Sequence, residues 1–215
     1  MRFCSVLTAP VRQAGRLAPT LAAALVLALV LALPRPAAAE NRTAIFAGGC
    51  FWCVEADFDK VPGVLDTVSG FTGGHTENPT YEQVTYEKTG HFEAVRVTYD
   101  PATVTYRALV DYFFRHVDPT DAGGQFCDRG DSYRTAIFVD GPEARADAEA
   151  AKAAASEAIK QPIVTPILEA GPFYEAESYH QNYYETHALR YEYYRWRCGR
   201  DARIEEVWKG AKPAS

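Results

Sequence analysis

After its first residue this 215-residue sequence contains no methionine. Methionine oxidises readily to its sulfoxide, so its absence suits a protein that works among oxidants. There is no internal repeat, no interior linker and no glycine loop of the phosphate-binding kind. Positive charge is short as well. Residues 1–39 hold Arg2, Arg12, Arg16 and Arg35 and no carboxylate. Beyond them 18 Lys and Arg face 28 Asp and Glu, a formal charge of −10. So acidic a body repels phosphate backbones, which excludes nucleic acid as a partner. With 47% apolar and 23% charged residues, 15 Gly and 13 Pro, collagen-like, low-complexity and mainly disordered chains are excluded too.

No apolar run reaches the roughly 20 residues of a spanning helix. Leu21–Leu33 consists only of Leu, Ala and Val, and Pro34-Arg35-Pro36 and Ala37-Ala38-Ala39 follow it. An Arg-bearing start, an apolar stretch and a small-x-small site read as a secretory signal peptide over residues 1–39. Counted from Leu17 the stretch is 17 residues long, so an uncleaved membrane anchor is the alternative. Cys4 precedes the apolar run, so it cannot be a lipid-modified cysteine after cleavage. The expectation is a single domain over residues 40–215, periplasmic or secreted, where disulfides persist. No stable membrane partner is expected. That domain keeps four cysteines: Cys50, Cys53, Cys127 and Cys198.

The hydrophobic pattern predicts strands at Thr43–Ala47, Val64–Phe71, Phe92–Tyr99, Tyr133–Val139 and, at an edge because of Pro162 and Pro166, Ile163–Leu168. Helices are predicted at Cys50–Lys60, Thr105–Val117, from Gly141-Pro142 to about Lys160, and over Ser178–Trp196, with one more turn around Ile204–Trp208. The segments 77–90 and 119–131 read as loops, the first with a short helical turn. The Ala-rich stretch Ala144–Ala158 reads as a plain surface helix. This order predicts an α/β (α+β) domain: a two-layer sandwich of helices on a mixed sheet, with a C-terminal helical or coil extension.

The chemistry concentrates at Gly48-Gly49-Cys50-Phe51-Trp52-Cys53. A strand ends, two glycines turn the chain, and a thiol opens a helix. Backbone N–H groups at a helix start favour an anion, so a lowered pKa is expected for Cys50. The glycines would also let another molecule approach closely. Phe51 and Trp52 suit a substrate pocket as well as core packing. The Cys50-x-x-Cys53 spacing has three readings: a thioredoxin-like redox pair, half of a zinc site completed by Cys127 and Cys198, or a nucleophile with a bystander. Zinc sites usually show two paired clusters, and Cys127 and Cys198 come singly. In Phe92-Glu93-Ala94-Val95-Arg96-Val97-Thr98-Tyr99, alternation puts Glu93 on the face of Val95, Val97 and Tyr99. A carboxyl group buried there should have a raised pKa and could donate a proton near neutrality. Asp128, in a Gly-rich turn, reads by itself as a backbone cap.

Together these segments resemble the peptide methionine sulfoxide reductase A family. The matching stretches are Phe46-Ala47-Gly48-Gly49-Cys50-Phe51-Trp52, Tyr81-Glu82-Gln83-Val84, Thr89-Gly90-His91-Phe92-Glu93, Tyr99-Asp100-Pro101, Asp128-Arg129-Gly130-x-x-Tyr133-Arg134 and Tyr179-His180-Gln181. The resemblance implies a ferredoxin-like core and reduction of the S epimer of methionine sulfoxide, free or in proteins. It implies Cys50 as nucleophile, Phe51 and Trp52 around the substrate methyl group, Glu93 as proton donor, Tyr81 and Tyr133 as hydrogen-bond donors to the oxygen, and Asp128 orienting the substrate. Cys50 would become a sulfenic acid, then a disulfide opened by a thioredoxin-type electron donor. No bound cofactor or metal is called for, and a monomer is expected.

The sequence departs from many relatives in having Cys127 before the motif Asp, Cys53 where a small residue is common, and no Gly-rich C-terminal tail. Cys198, in a late segment able to swing over the site, is the first choice of resolving thiol, with Cys127 as the alternative. Cys53 ranks third, because bridging it to Cys50 would distort a helical turn. Two other classes stand beside the reductase: an exported thiol–disulfide oxidoreductase using Cys50 and Cys53, and a non-catalytic domain held by two disulfides.

Overall fold

The computed structural model describes residues 40–211. The signal-peptide reading of residues 1–39 lies outside them. No helix among the described residues is long and apolar enough to cross a membrane.

Strand β1 (Arg42–Gly48) runs into helix α1 (Phe51–Phe58), and strands β2 (Val64–Thr72) and β3 (Phe92–Tyr99) flank a short helix α2 (Tyr81–Tyr86). Helix α3 (Tyr106–Arg115), a two-residue hairpin of β4 (Gly124–Gln125) and β5 (Asp128–Arg129), and strand β6 (Thr135–Val139) follow. Helix α4 (Gly141–Ile159), strands β7 (Ile167–Glu169) and β8 (Phe173–Glu175), and helices α5 (Tyr183–Thr186), α6 (Ala188–Arg197) and α7 (Arg200–Val207) complete the described chain.

The main sheet has the order β7-β6-β1-β3-β2-β8. Every pairing is antiparallel except β6 with β7. Its centre, β6-β1-β3-β2 with α1 and α3 as crossovers, is the split βαβ arrangement of ferredoxin-like folds. The sheet is therefore mixed, as expected, and helices cover one face. Phe46, Val95, Val97 and Ile137 on that face pack against Phe51, Val54 and Phe58 of α1 and Leu109, Val110 and Phe113 of α3. The other face holds a smaller cluster of Ala47, Phe92, Ala94, Ala136 and Phe138. The rings of Phe46, Phe58 and Phe113 stack at 4.8 and 5.2 Å between centroids, which anchors α1 and α3 over the middle of the sheet.

Four local expectations need correcting. The Ala-rich α4 is no plain surface helix: Ala148, Ala151 and Ala155 form a buried small-residue face that lets it settle against α3 and β6. The stretch 163–168 pairs only from Ile167, because the Pro166 carbonyl takes the Ile137 N–H and the proline has no N–H to return. The span 178–196 is broken into a 3₁₀ turn (Ser178–His180), α5 and α6. Gln181 breaks it, because its side-chain amide accepts from Ser69 N–H at 2.9 Å and donates to Ser69 O at 2.9 Å and Ala176 O at 3.0 Å. Asn182 then turns through the left-handed region at φ 50°. The loop 119–131 contains the β4–β5 hairpin, which closes over the glycine turn.

That turn is tightly built. Gly49 has φ +83°, and a Cβ there would sit 2.5 Å from the Gln125 Cβ. The close approach is made by the chain's own Gln125 rather than by another molecule. Gly49→Ala is expected to destabilise the fold by about 2–4 kcal/mol, from left-handed strain and overpacking together. A denaturant titration should show a lower midpoint at unchanged slope; an unmoved midpoint would refute this account of the turn.

Candidate active site

Cys50 is the N-cap of α1 and lies outside the helix, with φ −53° and ψ 117°. The first helical N–H, that of Phe51, does not meet the sulfur. It donates to Oε2 of Glu93 at 3.0 Å. One backbone amide therefore joins the nucleophile's turn to the acid on β3, and the two groups share a site. Glu93 is 2% exposed, on the face of β3 that alternation assigned to it. Burial pushes its carboxyl up to about 8, against the lowering effect of the Phe51 amide. Asp128, nearby, raises it further, and a hydrogen bond from Tyr133 lowers it.

Cys50 departs from expectation. Its pKa is raised well above the ordinary thiol value, first by burial, then by its hydrogen bond with Cys53 and by the negative charges of Cys53, Glu93 and Asp128. The expected lowering fails because the helix-start amide is engaged by Glu93 and Cys50 is only 6% exposed. The acidity falls instead on Cys53. That thiol is pulled down by the hydrogen bond with Cys50 and by Arg200 and Arg195, against its own burial. The Cys50 sulfur and the Glu93 carboxyl thus both carry protons at neutral pH.

Phe51 is 1% exposed and packs in the core against Phe71, at 5.9 Å between centroids, and Tyr81, at 6.2 Å. Trp52 is half-buried. It stacks on Tyr183 at 3.8 Å and 8° between planes, meets the Tyr194 ring edge-on, and donates its Nε1–H to His180 Nδ1 at 3.1 Å. Tyr133 hydrogen-bonds to both Glu93 and Tyr81, and burial raises the pKa of both tyrosines, so each remains a protonated hydroxyl. Asp128 accepts from the Tyr194 hydroxyl, and burial raises its pKa. All the residues named from the sequence around Cys50 are therefore brought together. Sequence reading missed His180, Tyr183 and Tyr194, which orient Trp52 and Asp128. Tyr179-His180-Gln181 was visible only as a resemblance, and nothing separates two tyrosines from the 13 present.

Cys127 and Cys198 are joined to each other by a disulfide, with Cα atoms 4.9 Å apart. Cys50 and Cys53 are free thiols. Cys127 is exposed and Cys198 half-buried, beside a cavity of about 390 Å³ lined by Asp118, Asp121, Phe126 and Arg203. The segment around Cys198 is held on both sides. Arg195 pairs with buried Asp57 at 2.9 Å, and Arg200, 2% exposed, donates to Gly48 O at 3.2 Å and His116 O at 2.8 Å. The late segment expected to be loose is anchored by these contacts. The four sulfurs do not gather as one zinc site would need. Among the described residues the single three-donor grouping is Cys127, Asp128 and Cys198, and its two sulfurs are bonded to each other.

Comparisons with known proteins agree with this geometry. The family model described as peptide methionine sulfoxide reductase matches residues 42–212. A relative from Caulobacter vibrioides, peptide methionine sulfoxide reductase MsrA 2, is 54% identical over 178 residues, covering 82% of this chain and 90% of its own. One from Bacillus subtilis, peptide methionine sulfoxide reductase MsrA, is 54% identical over 175 residues, covering 80% and 98%. Among solved structures, methionine sulfoxide reductase A of Corynebacterium diphtheriae superposes with a TM-score of 0.63 at 36% identity, covering 72% of this chain and 77% of its own. Reduced Mxr1 from Saccharomyces cerevisiae gives 0.67 at 29% identity, covering 72% and 88%.

Proposed function

Since this chain belongs to the peptide methionine sulfoxide reductase family, we propose that it reduces the S epimer of methionine sulfoxide, in proteins or free, through Cys50 and Glu93. It is an oxidoreductase, and its product is methionine. The observation that carries the assignment of roles is the Phe51 amide, which ties a proton-bearing Glu93 to the turn that presents the Cys50 sulfur.

A sulfoxide oxygen leaves poorly until it is protonated, so the reaction needs a soft nucleophile and an acid side by side. The Cys50 sulfur attacks the sulfoxide sulfur while Glu93 hands its proton to the oxygen and takes up the proton that leaves the Cys50 thiol, with the Tyr81 and Tyr133 hydroxyls donating hydrogen bonds to the oxygen. Two electrons pass from Cys50 to the substrate sulfur. The oxygen ends on Cys50 as a sulfenic acid, and the thioether is released. Trp52, held flat by Tyr183 and His180, lines the apolar side for the methyl group, with Phe51 behind it. Asp128 positions the substrate. The Cys127–Cys198 disulfide stores the oxidising equivalents at the surface, where a thioredoxin-type protein can reduce it. Residues 1–39 support export to the periplasm or beyond the cell, with oxidised proteins there as substrates.

The test is a stoichiometric assay. Pure reduced protein, without external reductant, is mixed separately with the two sulfoxide epimers of one peptide. At least one equivalent of methionine per chain should form from the S epimer and almost none from the R epimer. Equal yields, or none, would refute the assignment.

A further inference from the structure

Resting on the sulfoxide-reductase reading, we infer that Cys53 is the thiol that attacks the Cys50 sulfenic acid, ahead of Cys198 and Cys127, so that oxidising equivalents leave the buried site through a Cys50–Cys53 disulfide.

Geometry comes first. Cys50 and Cys53 are both free thiols, one at the cap and the other in the first turn of α1. The Cys53 N–H donates to Cys50 O at 3.1 Å, which closes a turn and holds the two Cα atoms within about 7 Å. Disulfides span about that distance. Because Cys50 caps the helix from outside, with ψ 117°, a bridge to Cys53 need not unwind α1. The objection raised from the sequence, a distorted helical turn, therefore falls.

Access comes second. Cys50 and Cys53 are 6% and 2% exposed, so a reductant protein cannot reach either sulfur. Cys127 is exposed and Cys198 half-buried, so that pair is where a reductant protein meets the chain. The nearest thiol to a newly formed Cys50 sulfenic acid is Cys53. The hydrogen bond from Cys50 and the two arginines also favour its anionic, nucleophilic form.

The steps balance. The Cys53 sulfur displaces the hydroxyl from the Cys50 sulfur. The S–O bond breaks, an S–S bond forms, and the Cys53 proton leaves with the hydroxide as water. A reduced Cys198 or Cys127 thiolate then attacks the buried disulfide. A second exchange returns Cys50 and Cys53 as thiols and leaves Cys127–Cys198 oxidised. A dithiol reductant protein supplies the two electrons that reopen that bond at exposed Cys127.

The experiment uses the whole chain, fully reduced, with one equivalent of an S-sulfoxide peptide, dimedone as the sulfenic-acid trap, and peptide mass mapping. In the Cys127→Ser/Cys198→Ser double variant, one equivalent of methionine should form with a mapped Cys50–Cys53 bridge and little dimedone adduct. In Cys53→Ser, the Cys50 sulfenic acid should be trapped, its lifetime extended at least about tenfold by loss of the adjacent thiol. A double variant that retains the sulfenic acid with Cys53 still free would overturn the inference. So would a Cys53→Ser chain that forms Cys127–Cys198 as fast as the unaltered protein. Should Cys53→Ser not fold, the double variant decides alone. Absence of methionine from the unaltered chain would remove the reductase reading and this inference with it, whereas methionine without the bridge would remove the inference alone.

Discussion

Cys50→Ser is expected to abolish methionine formation, a loss on the order of 10⁴-fold or more. The effect is large because sulfur carries the whole redox step. A serine oxygen at that position cannot accept the sulfoxide oxygen or become a sulfenic acid, however it is oriented. Cys50 makes no side-chain cap bond to α1. A slightly smaller hydroxyl should therefore leave the turn intact, and thermal melting should shift little. The measurement is methionine released per chain at a fixed time with excess S-sulfoxide, beside a melting curve for each protein. A Cys50→Ser chain that still releases methionine at a tenth of the normal rate would place the nucleophile elsewhere.

Glu93→Gln should slow the same step by about 10²–10⁴-fold, the range for a positioned proton donor. Its amide oxygen can still accept the Phe51 N–H, so the variant keeps the fixing hydrogen bond and loses only the proton. The pH profile separates an acid from a merely structural residue. Burial raises the Glu93 carboxyl to about 8, so the protonated, donating form dominates below that value and is lost as pH rises through it. The normal rate should be level from pH 6 to about 8 and then fall, approaching tenfold per pH unit. Cys50 adds no rising limb in this range, because burial keeps its sulfur protonated throughout and the thiol proton passes to Glu93 as the sulfur attacks, so the reactive form is the site with both protons in place. The Glu93→Gln rate should be low and flat across pH 6–9. Parallel falling limbs in both proteins would assign the proton to another group.

Much of this site could be read before folding because its parts sit at the ends of regular elements. The period-2 pattern of Phe92–Tyr99 sufficed to place Glu93 on the helix-covered face, and the two glycines marked the turn that presents Cys50. The error in sign for the Cys50 pKa has a definite origin. Helix-start electrostatics is a local property, whereas burial of the sulfur, the nearby Glu93 and Asp128 charges and the arginines facing Cys53 come from residues 40 to 150 positions away. Likewise β8 is three residues long and pairs only because β2 offers an open edge, so no periodicity could announce it. Gln181 shows the limit from the other side. Its backbone lies in a stretch whose composition reads as helix, and one side-chain amide that imitates a strand partner for Ser69 overrides that preference.

Arg200 lies downstream of every group that reacts, yet its guanidinium grips the Gly48 carbonyl beneath the nucleophile and is itself seated over Phe126 and beside Asp57. Synthesis proceeds from the N-terminus, so a nascent chain completes its thiols and carboxyls before it owns this keystone. The turn that presents Cys50 therefore gains this support only once α7 has been made, and a chain cut just after Cys198 would carry the same thiols and carboxyls without that support.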